Sequence, residues 1–162
     1  MNIWRLIPHH ERPAEFAEWS RNNKVIAVGW GQMGDLRRQS FRDEGELKLL
    51  TARTHPGYTT NSWVNGGRSL WRLYNDVQIG DLVIISASGS RKLTMRVTGD
   101  YYFTNDDASH YYEHRRKAAV VPINPNHLWR AANRVAPGEG IYGTLVRCAR
   151  TLTEAEVNAI TD

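Results

Sequence analysis

A short apolar run that leads into a glycine-flanked tryptophan constrains the fold of this chain more than any other stretch. The run from Val25 to Val28 is rich in β-branched side chains, a pattern that predicts an interior strand. Gly29, Gly31 and Gly34 surround Trp30, and glycine permits backbone angles and close approaches that other residues resist. We therefore predict that the Trp30 indole stands free at the end of this strand, where it can stack on a flat ligand. The alternative is that Trp30 is an ordinary core aromatic residue and that the glycines only form a turn.

Hydrophobic periodicity along the rest of the chain predicts both helices and strands. Pro13 suits a first helical turn, and Thr153 with Glu156 forms a capping box for a closing helix. The predicted helices cover residues 11–22, 35–54 with a break around Gly45, 61–77, 124–134 and the segment after Thr153. The predicted strands cover residues 3–7, 24–29, 79–88, 92–98, 114–122 and 141–146, with a hairpin turn at Gly89-Ser90. This order predicts an α+β fold with a curved, mostly antiparallel sheet or a partly open β-barrel flanked by helices.

Length and composition are those of one globular domain over residues 1–162. Hydrophobic residues make up 41% of the chain and charged residues 23%, and no apolar run is long enough to cross a bilayer. The first residues, Met1 to Pro8, lack the charged and apolar regions of a signal peptide. Cys148 is the single cysteine, so an intrachain disulfide is excluded. We therefore predict a cytoplasmic protein with no membrane partner.

Basic residues are gathered in short groups along the chain. Lysine and arginine number 21 against 17 aspartates and glutamates, which gives a formal net charge of +4. Groups of this kind commonly contact phosphate. The residues that we predict to contact a nucleic-acid backbone are Arg37, Arg38, Arg91, Lys92, Arg115, Arg116 and Lys117. The alternative for each group is a solvated surface without a ligand.

Motifs for catalysis are weak in this sequence. The acid-x-lysine element Glu46-Leu47-Lys48, with Asp43 before it, occurs in metal-dependent nucleases, but here it lies in a helical pattern rather than in a strand. The histidines show no zinc-ligand spacing, and no phosphate-binding glycine loop followed by lysine is present. We predict no catalytic residue, metal or cofactor, and we expect any nuclease or NTPase activity in another domain or subunit. A small enzyme of unassigned activity is the alternative.

Aromatic residues lie near predicted strand ends and turns, with arginines close by in the sequence. They are Trp30, Trp63, Trp71, Tyr101, Tyr102, Phe103, Tyr111 and Tyr112. Stacking of a base on an aromatic ring contributes roughly 1–3 kcal/mol, and nearby arginines add a salt-dependent attraction to phosphate. The combination predicts a nucleic-acid site. The alternative is that these rings fill the core, as the helical spacing of Trp71 and Tyr74 indicates.

The order of these motifs resembles the EVE-like branch of the PUA superfamily, which is related to the YTH readers of methylated RNA. The resemblance covers roughly residues 3 to 147 and depends on the whole ordered set rather than on any one motif. The set comprises Val28-Gly-Trp-Gly31, Gly34-Asp35, a Trp-bearing helix, Ile79-Gly-Asp-Leu-Val-Ile-Ile-Ser-Ala87, Gly89-Ser90, Met95-Arg-Val-Thr-Gly-Asp-Tyr-Tyr-Phe103 and His114-Arg-Arg-Lys117. One departure is Ala118-Ala-Val-Val121, where many relatives carry an acidic residue and a tryptophan.

The resemblance implies a module that holds a flipped, modified base in an aromatic cage. It implies that Trp30 is one wall, that Ser86 and Ser88 form the floor and that Tyr101, Tyr102 or Phe103 is the opposing wall. Gly31 beside the first wall and Trp63 complete the implied pocket. The implied partner is DNA that contains a modified base, read by the specificity domain of a modification-dependent restriction system that also has a nuclease or NTPase domain or subunit. An RNA reader on the same fold is the alternative.

Overall fold

Six strands form one mixed sheet in a computed structural model, which describes residues 1–8, 10–105, 112–140 and 143–161. The strands are β1 (Ile3–Leu6), β2 (Val25–Val28), β3 (Leu82–Ala87), β4 (Ser90–Phe103), β5 (His114–Val121) and β6 (Leu145–Arg147), in the sheet order β2-β5-β4-β3-β1-β6. β1 pairs with β3 in parallel, and the other described strand pairs are antiparallel. Across the described residues β2 and β6 do not pair with each other, so the sheet is open. The predicted α+β class and mostly antiparallel sheet are confirmed.

Five helices flank this sheet in the described ranges, and several begin at a residue suited to capping. They are α1 (Pro13–Asn23), α2 (Glu44–Thr54), α3 (Thr60–Trp71), α4 (Pro125–Ala131) and α5 (Glu154–Thr161). The Asp43 carboxylate and the Thr59 hydroxyl accept hydrogen bonds from the first turns of α2 and α3. The predicted capping box is confirmed, because Thr153 and Glu156 each accept a hydrogen bond from the other's backbone N–H. None of the described helices has the length and apolar character needed to cross a membrane.

Two apolar cores lie on the sheet, and a third small cluster joins α1 to β2. The larger core packs strand residues such as Ile26, Val83 and Met95 against Leu47 of α2 and Leu70 of α3. The second core packs Ile3, Leu82 and Ile84 against Leu128 of α4 and Val157 of α5. Phe16, Ala27 and Tyr112 form the third cluster. Because strand side chains alternate between faces, helices on both sides leave β3 buried along most of its length.

Three boundaries differ from those that the sequence predicts. β4 continues through Gly99 to Phe103, and a break in its pairing with β5 between Val97 and Tyr101 accommodates the glycine. The hairpin turn is Ser88-Gly89, where both residues have positive φ, as a two-residue type I′ turn requires. The predicted helix over residues 35–54 breaks before Asp43 rather than at Gly45. The predicted last strand begins at Ile141, which lies outside the described residues, and β6 covers its end.

Candidate nucleic-acid interface

The Trp30 side chain is half-buried at the end of β2, and its backbone is left-handed with φ of 71°. Such a φ is uncommon outside glycine. The indole lies against α3 at Gly66, where a Cβ would fall 2.2 Å from Trp30 Cε2. The ring centroids of His55 and Tyr58 lie 4.8 Å and 5.1 Å from the Trp30 ring, in edge-on and tilted arrangements. The absence of a side chain at Gly66 therefore allows the indole to pack on α3, and His55 and Tyr58 of the 55–58 turn also contact the indole.

A buried hydrogen-bonded chain holds the Trp30 backbone in this conformation. His114 Nε2 lies 3.1 Å from the Trp30 carbonyl oxygen, and His114 Nδ1 lies 2.8 Å from the Tyr101 hydroxyl. The Tyr101 hydroxyl also accepts a hydrogen bond from the Leu36 backbone N–H at 3.2 Å. A carbonyl oxygen can only accept, so Nε2 carries the histidine proton and Nδ1 accepts from Tyr101. The chain thus ties the end of β2 to β4, β5 and the segment after Gly34.

Burial fixes the protonation of both side chains in this chain of hydrogen bonds. Burial lowers the His114 pKa to about 4, although the hydrogen bond to the Trp30 carbonyl opposes the shift. Burial also raises the pKa of Tyr101 well above its usual value, with the Leu36 hydrogen bond again opposing. At neutral pH His114 is therefore uncharged and Tyr101 keeps its proton. Neither His114 nor Tyr101 is therefore poised to exchange a proton near pH 7, and the pair serves to position its neighbours.

A hollow of about 500 Å³ lies at the same end of the sheet. It is lined by Phe103, Gly34, Asp35 and Gln39, together with the exposed side chains of Arg37 and Arg38. Arg37 pairs with Asp35 at 2.7 Å, and hydrogen bonding from Arg37 lowers the Asp35 pKa. Phe103 contacts the network, because its ring centroid lies 5.1 Å from that of His114. The hollow therefore combines one aromatic wall with a basic rim.

The predicted cage residues do not all lie together. At one end of the sheet, His114 of β5 pairs with Phe103 of β4 on one side and with Val28 of β2 on the other. Because β3 runs antiparallel to β4, its Ser86 and the following Ser88 lie at the other end of the sheet. The structure brings Trp30, Gly31 and Phe103 to one end and does not bring the two serines to them.

The other predicted aromatic walls differ in their exposure. Tyr101 is only 7% exposed and its hydroxyl is engaged, so it supports the site from within the core. Tyr102 is half-buried and by strand alternation faces the opposite side of the sheet from Tyr101 and Phe103. Trp63 is half-buried in the first half of α3, one turn before Gly66. Phe103 is therefore the one member of the 101–103 group that lines the hollow in the described structure.

The predicted phosphate contacts need a correction at Arg115 and Arg116, which are 8% and 5% exposed. Arg115 donates from Nε to the Tyr112 carbonyl oxygen and lies over the Trp19 ring. Arg116 donates to the Leu73 and Tyr74 carbonyl oxygens, which lie in the short π-helical segment Arg72–Asp76 that follows α3. Their guanidinium groups thus have structural partners and are not presented to a ligand. Arg37, Arg38, Lys92 and Lys117 are exposed, and Arg91 is half-buried.

The acid-x-lysine element has structural partners as well. Glu46 accepts hydrogen bonds from the Arg42 side chain and backbone, and Lys48 pairs with Glu44 on the same helix. Asp43 caps α2. These groups face different partners and converge on no common point, in keeping with the helical pattern of the sequence.

Sequence reasoning missed His55, Tyr58 and His114 as neighbours of Trp30. His55-Pro-Gly-Tyr58 is a turn motif, and a turn motif does not indicate what its side chains cover. His114 stands at the start of an apolar and basic strand, where only its pairing with Val28 reveals its position. Tyr111, a predicted aromatic candidate, lies outside the described residues.

A family model described as Domain of unknown function (DUF8426) matches residues 4–121. The matched segment is more than half of the chain and runs from β1 to the end of β5. It contains Trp30, Phe103 and His114, whereas α4, β6 and α5 lie beyond it. A search of curated proteins gives no match to the chain.

Proposed function

The chain belongs to this family of unknown function, and we propose that it is a nucleic-acid-binding module that reads a modified base in DNA. The base is flipped out of the duplex and held at the Trp30 end of the sheet. The single observation that carries this proposal is a half-buried indole with a fixed backbone at the same end of the sheet as a hollow that has an aromatic wall and an arginine rim, although Trp30 itself is not part of that lining. The finer assignment of the fold, an EVE-like member of the PUA superfamily, is part of the same proposal.

Size and shape support a single flat ligand group at this end of the sheet. A hollow of about 500 Å³ falls within the range of about 300–1,000 Å³ typical of ligand pockets. Flipping a base costs a few kcal/mol of pairing and stacking, and contact with one or two aromatic faces offsets about 1–3 kcal/mol for each base. Phe103 is the ring in the wall of the hollow. Trp30 lies at the same end of the sheet, where its carbonyl oxygen is hydrogen-bonded to His114, whose ring contacts Phe103.

Charge supports an anionic polymer as the partner. Arg38 is exposed at the mouth of the hollow, and Arg37 beside it forms a partly exposed ion pair with Asp35. Exposed cations of this kind contact phosphates and make affinity fall with salt. The modification itself contributes modestly: burial of one methyl group adds about 0.8 kcal/mol. Stronger discrimination requires that the unmodified base leave a void or an unpaired polar group.

Direct binding measurements test the proposal. Fluorescence anisotropy would compare labelled duplexes that carry unmodified bases, 5-methylcytosine, hydroxymethylcytosine, glucosylated cytosine or N6-methyladenine, together with the matching RNAs. We expect one modified duplex to bind at least about tenfold more tightly than its unmodified form, a difference of about 1.4 kcal/mol. Equal, weak binding to every probe would refute the proposal. Tighter binding to a modified RNA would favour the RNA reader, and cleavage by the purified chain would favour an enzyme.

Substitution of Trp30 locates the site. Trp30→Leu keeps an apolar side chain against Gly66 but removes the stacking face, so we expect the preferred duplex to bind about tenfold or more weakly. Trp19→Leu is the matched control, because Trp19 is also half-buried but lies on α1 against Arg115. Circular dichroism and thermal melts establish that both variants are folded. A folded Trp30→Leu variant that binds as tightly as the parent would remove Trp30 from the site.

A further inference from the structure

A second cavity, of about 650 Å³, lies at the end of the sheet opposite Trp30, where β1 and β3 finish. It is bounded by these two strand ends, the Ser88-Gly89 turn, the start of α1 and Trp129 of α4. Its polar and charged lining residues are Arg5, His10, Glu11 and Arg91, with the serines Ser86, Ser88 and Ser90. The hollow beside Phe103 shares no described residue with this cavity.

The feature that points to a ligand is the side chain of Arg5, which is 6% exposed and lines the cavity. Arg5 lies on β1 two residues after Ile3, a member of the second core, so strand alternation turns both toward the same face. Its Nη2 donates to the Gly143 carbonyl oxygen at 3.0 Å. Its buried Nε has no hydrogen-bond partner within the described part of the chain. Burial without full pairing is costly for a guanidinium and lowers the Arg5 pKa, so an anion bound in the cavity that Arg5 lines would stabilise its charged form.

A flat surface lies in the same cavity. The Arg91 guanidinium carbon stands 5.2 Å from the centroid of the Trp129 ring, and Arg91 Nε donates to Asn126 Oδ1 at 2.8 Å. This pair is held by α4, whose first turn is capped by Asn124. An arginine stacked on an indole offers a planar group for a second ring and a positive charge for an anion.

Three serines lie in the lining, and the Ser90 hydroxyl donates to the Ala87 carbonyl oxygen. Neither the Ser86 nor the Ser88 side chain makes a hydrogen bond to any residue that the structure describes. Ser88 stands in the tight turn with φ of 52°, which fixes its position at the rim. Hydroxyl groups donate well to phosphate oxygens. The lining contains two arginines and one glutamate, Glu11, so its charge favours an anion.

We propose that this cavity is a second ligand site, which takes a nucleoside 5′-monophosphate group with its phosphate toward Arg5 and its base on the Arg91–Trp129 pair. The group comes either from a free nucleotide or from the phosphorylated end of a nucleic-acid strand. The site does not depend on the function proposed for the Trp30 end. Both the phosphate and the ring contribute to affinity, because the cavity presents a cation for one and a flat surface for the other.

Calorimetric titration of the whole chain with adenosine 5′-monophosphate, uridine 5′-monophosphate, adenosine and inorganic phosphate tests this site. We expect the monophosphates to bind, and adenosine and inorganic phosphate to bind at least about tenfold more weakly, because each of these two lacks one of the two groups that the cavity contacts. No binding of either monophosphate, or adenosine binding as tightly as its monophosphate, would overturn the proposal. An oligonucleotide with a 5′-phosphate, compared with its 5′-hydroxyl form, distinguishes a strand end from a free nucleotide.

Substitutions test which lining residues bind the ligand. Arg5→Met should abolish binding, but loss of a buried residue can also unfold the chain. Arg91→Gln and Trp129→Leu therefore provide tests at less buried positions. Each of these two should weaken monophosphate binding about tenfold. Arg130→Gln is the matched control, because Arg130 is exposed on the same helix and is not part of the lining. Unchanged affinity in both Arg91→Gln and Trp129→Leu would overturn the assignment, whatever the behaviour of Arg5→Met.

Discussion

The Tyr101 hydroxyl lies 2.8 Å from His114 Nδ1, across the paired strands β4 and β5. The two rings are also nearly parallel, with an interplanar angle of 27°. His114 Nε2 is hydrogen-bonded to the Trp30 carbonyl oxygen, so the contact between Tyr101 and His114 couples the position of Trp30 to the central strand β4. The candidate interface is therefore positioned from the core rather than from its own loops.

The first prediction concerns the Tyr101 hydroxyl. Tyr101→Phe keeps the ring but leaves the Leu36 N–H and His114 Nδ1 without their buried partner, so we expect a loss of about 1–3 kcal/mol in unfolding free energy. Urea unfolding measures it. Tyr102→Phe, at the half-buried neighbouring position, should cost less than about 0.5 kcal/mol. Equal stability of the two variants would show that the hydroxyl does not bridge these groups.

The second prediction is a pH dependence centred on His114. Its folded pKa, about 4, lies below the ordinary value of 6.5, so the unfolded chain takes up the proton first as the pH falls. The stability that neutral His114 contributes is complete above about pH 6.5 and is lost as the pH falls toward about 4. The loss is on the order of 3 kcal/mol.

A comparison of variants isolates this effect from the titration of carboxylates. His114→Gln should be less stable at pH 7.5 but should lose less further stability than the parent between pH 6.5 and 4.5, measured by urea unfolding at each pH. His127→Gln, at an exposed position, should follow the parent curve. A His114→Gln curve parallel to that of the parent would contradict the burial of a neutral imidazole.

The elements of this fold were largely predictable because their signals are local. The β-branched run at Val25–Val28 and the capping box at Thr153 depend only on neighbouring residues, and the structure confirms a buried strand and the capping box. The prediction that the strand is interior is wrong as regards its place in the sheet, because β2 lies at one edge of the described sheet. The continuation of β4 through Gly99 was missed because a glycine and an aspartate indicate a turn in isolation. Pairing with β5 on either side of the irregularity overrides that local preference.

The third prediction concerns the contact between Gly66 and Trp30. A Cβ at position 66 would overlap the indole, so Gly66→Ala should move Trp30 or α3 and lower stability by about 1–3 kcal/mol. This cost outweighs the gain of about 1 kcal/mol in helix propensity. Urea unfolding and the tryptophan emission spectrum measure the two effects.

Gly57→Ala is the control, since a Cβ there would meet nothing within 4 Å. It should leave both the emission spectrum and the midpoint of unfolding near those of the parent. A Gly66→Ala variant that matches Gly57→Ala in both measurements would mean that the indole does not rest on α3 in solution.

The fourth prediction separates Arg116 from the phosphate-contacting arginines. Arg116 donates to the Leu73 and Tyr74 carbonyl oxygens, which lie in the π-helical segment Arg72–Asp76 that follows α3. Arg116→Met leaves these carbonyls without their donor and should lower stability by about 2–4 kcal/mol. Lys117→Met, at an exposed position on the same strand, should cost less than about 0.5 kcal/mol. Thermal melts of the two variants decide between a structural Arg116 and one that serves a ligand.

The arrangement of the candidate sites was less accessible from sequence than the strands themselves. Ser86 and Phe103 are both near strand ends, but periodicity does not reveal which end of a sheet each residue occupies, and the strand order separates them. The adjacent arginines in His114-Arg-Arg-Lys117 predict a basic patch, although both are buried. Arg115 packs against Trp19 of α1, and Arg116 donates to Leu73 in the segment that follows α3. The burial of Arg5 could not be predicted from the sequence, because a single arginine in a short strand is common at a solvent-facing position.

The place of β1 between β3 and β6 sets an order of assembly for this chain. Ile3–Leu6 is synthesised before either of its partner segments, Leu82–Ile85 and Leu145–Arg147. The hairpins of β3, β4 and β5 join neighbours in sequence and can form while β1 is still unpaired, because short loops close at little entropic cost. Until those partners are made, the Trp4 and Leu6 side chains, which are buried in the folded chain, are open to contact with chaperones.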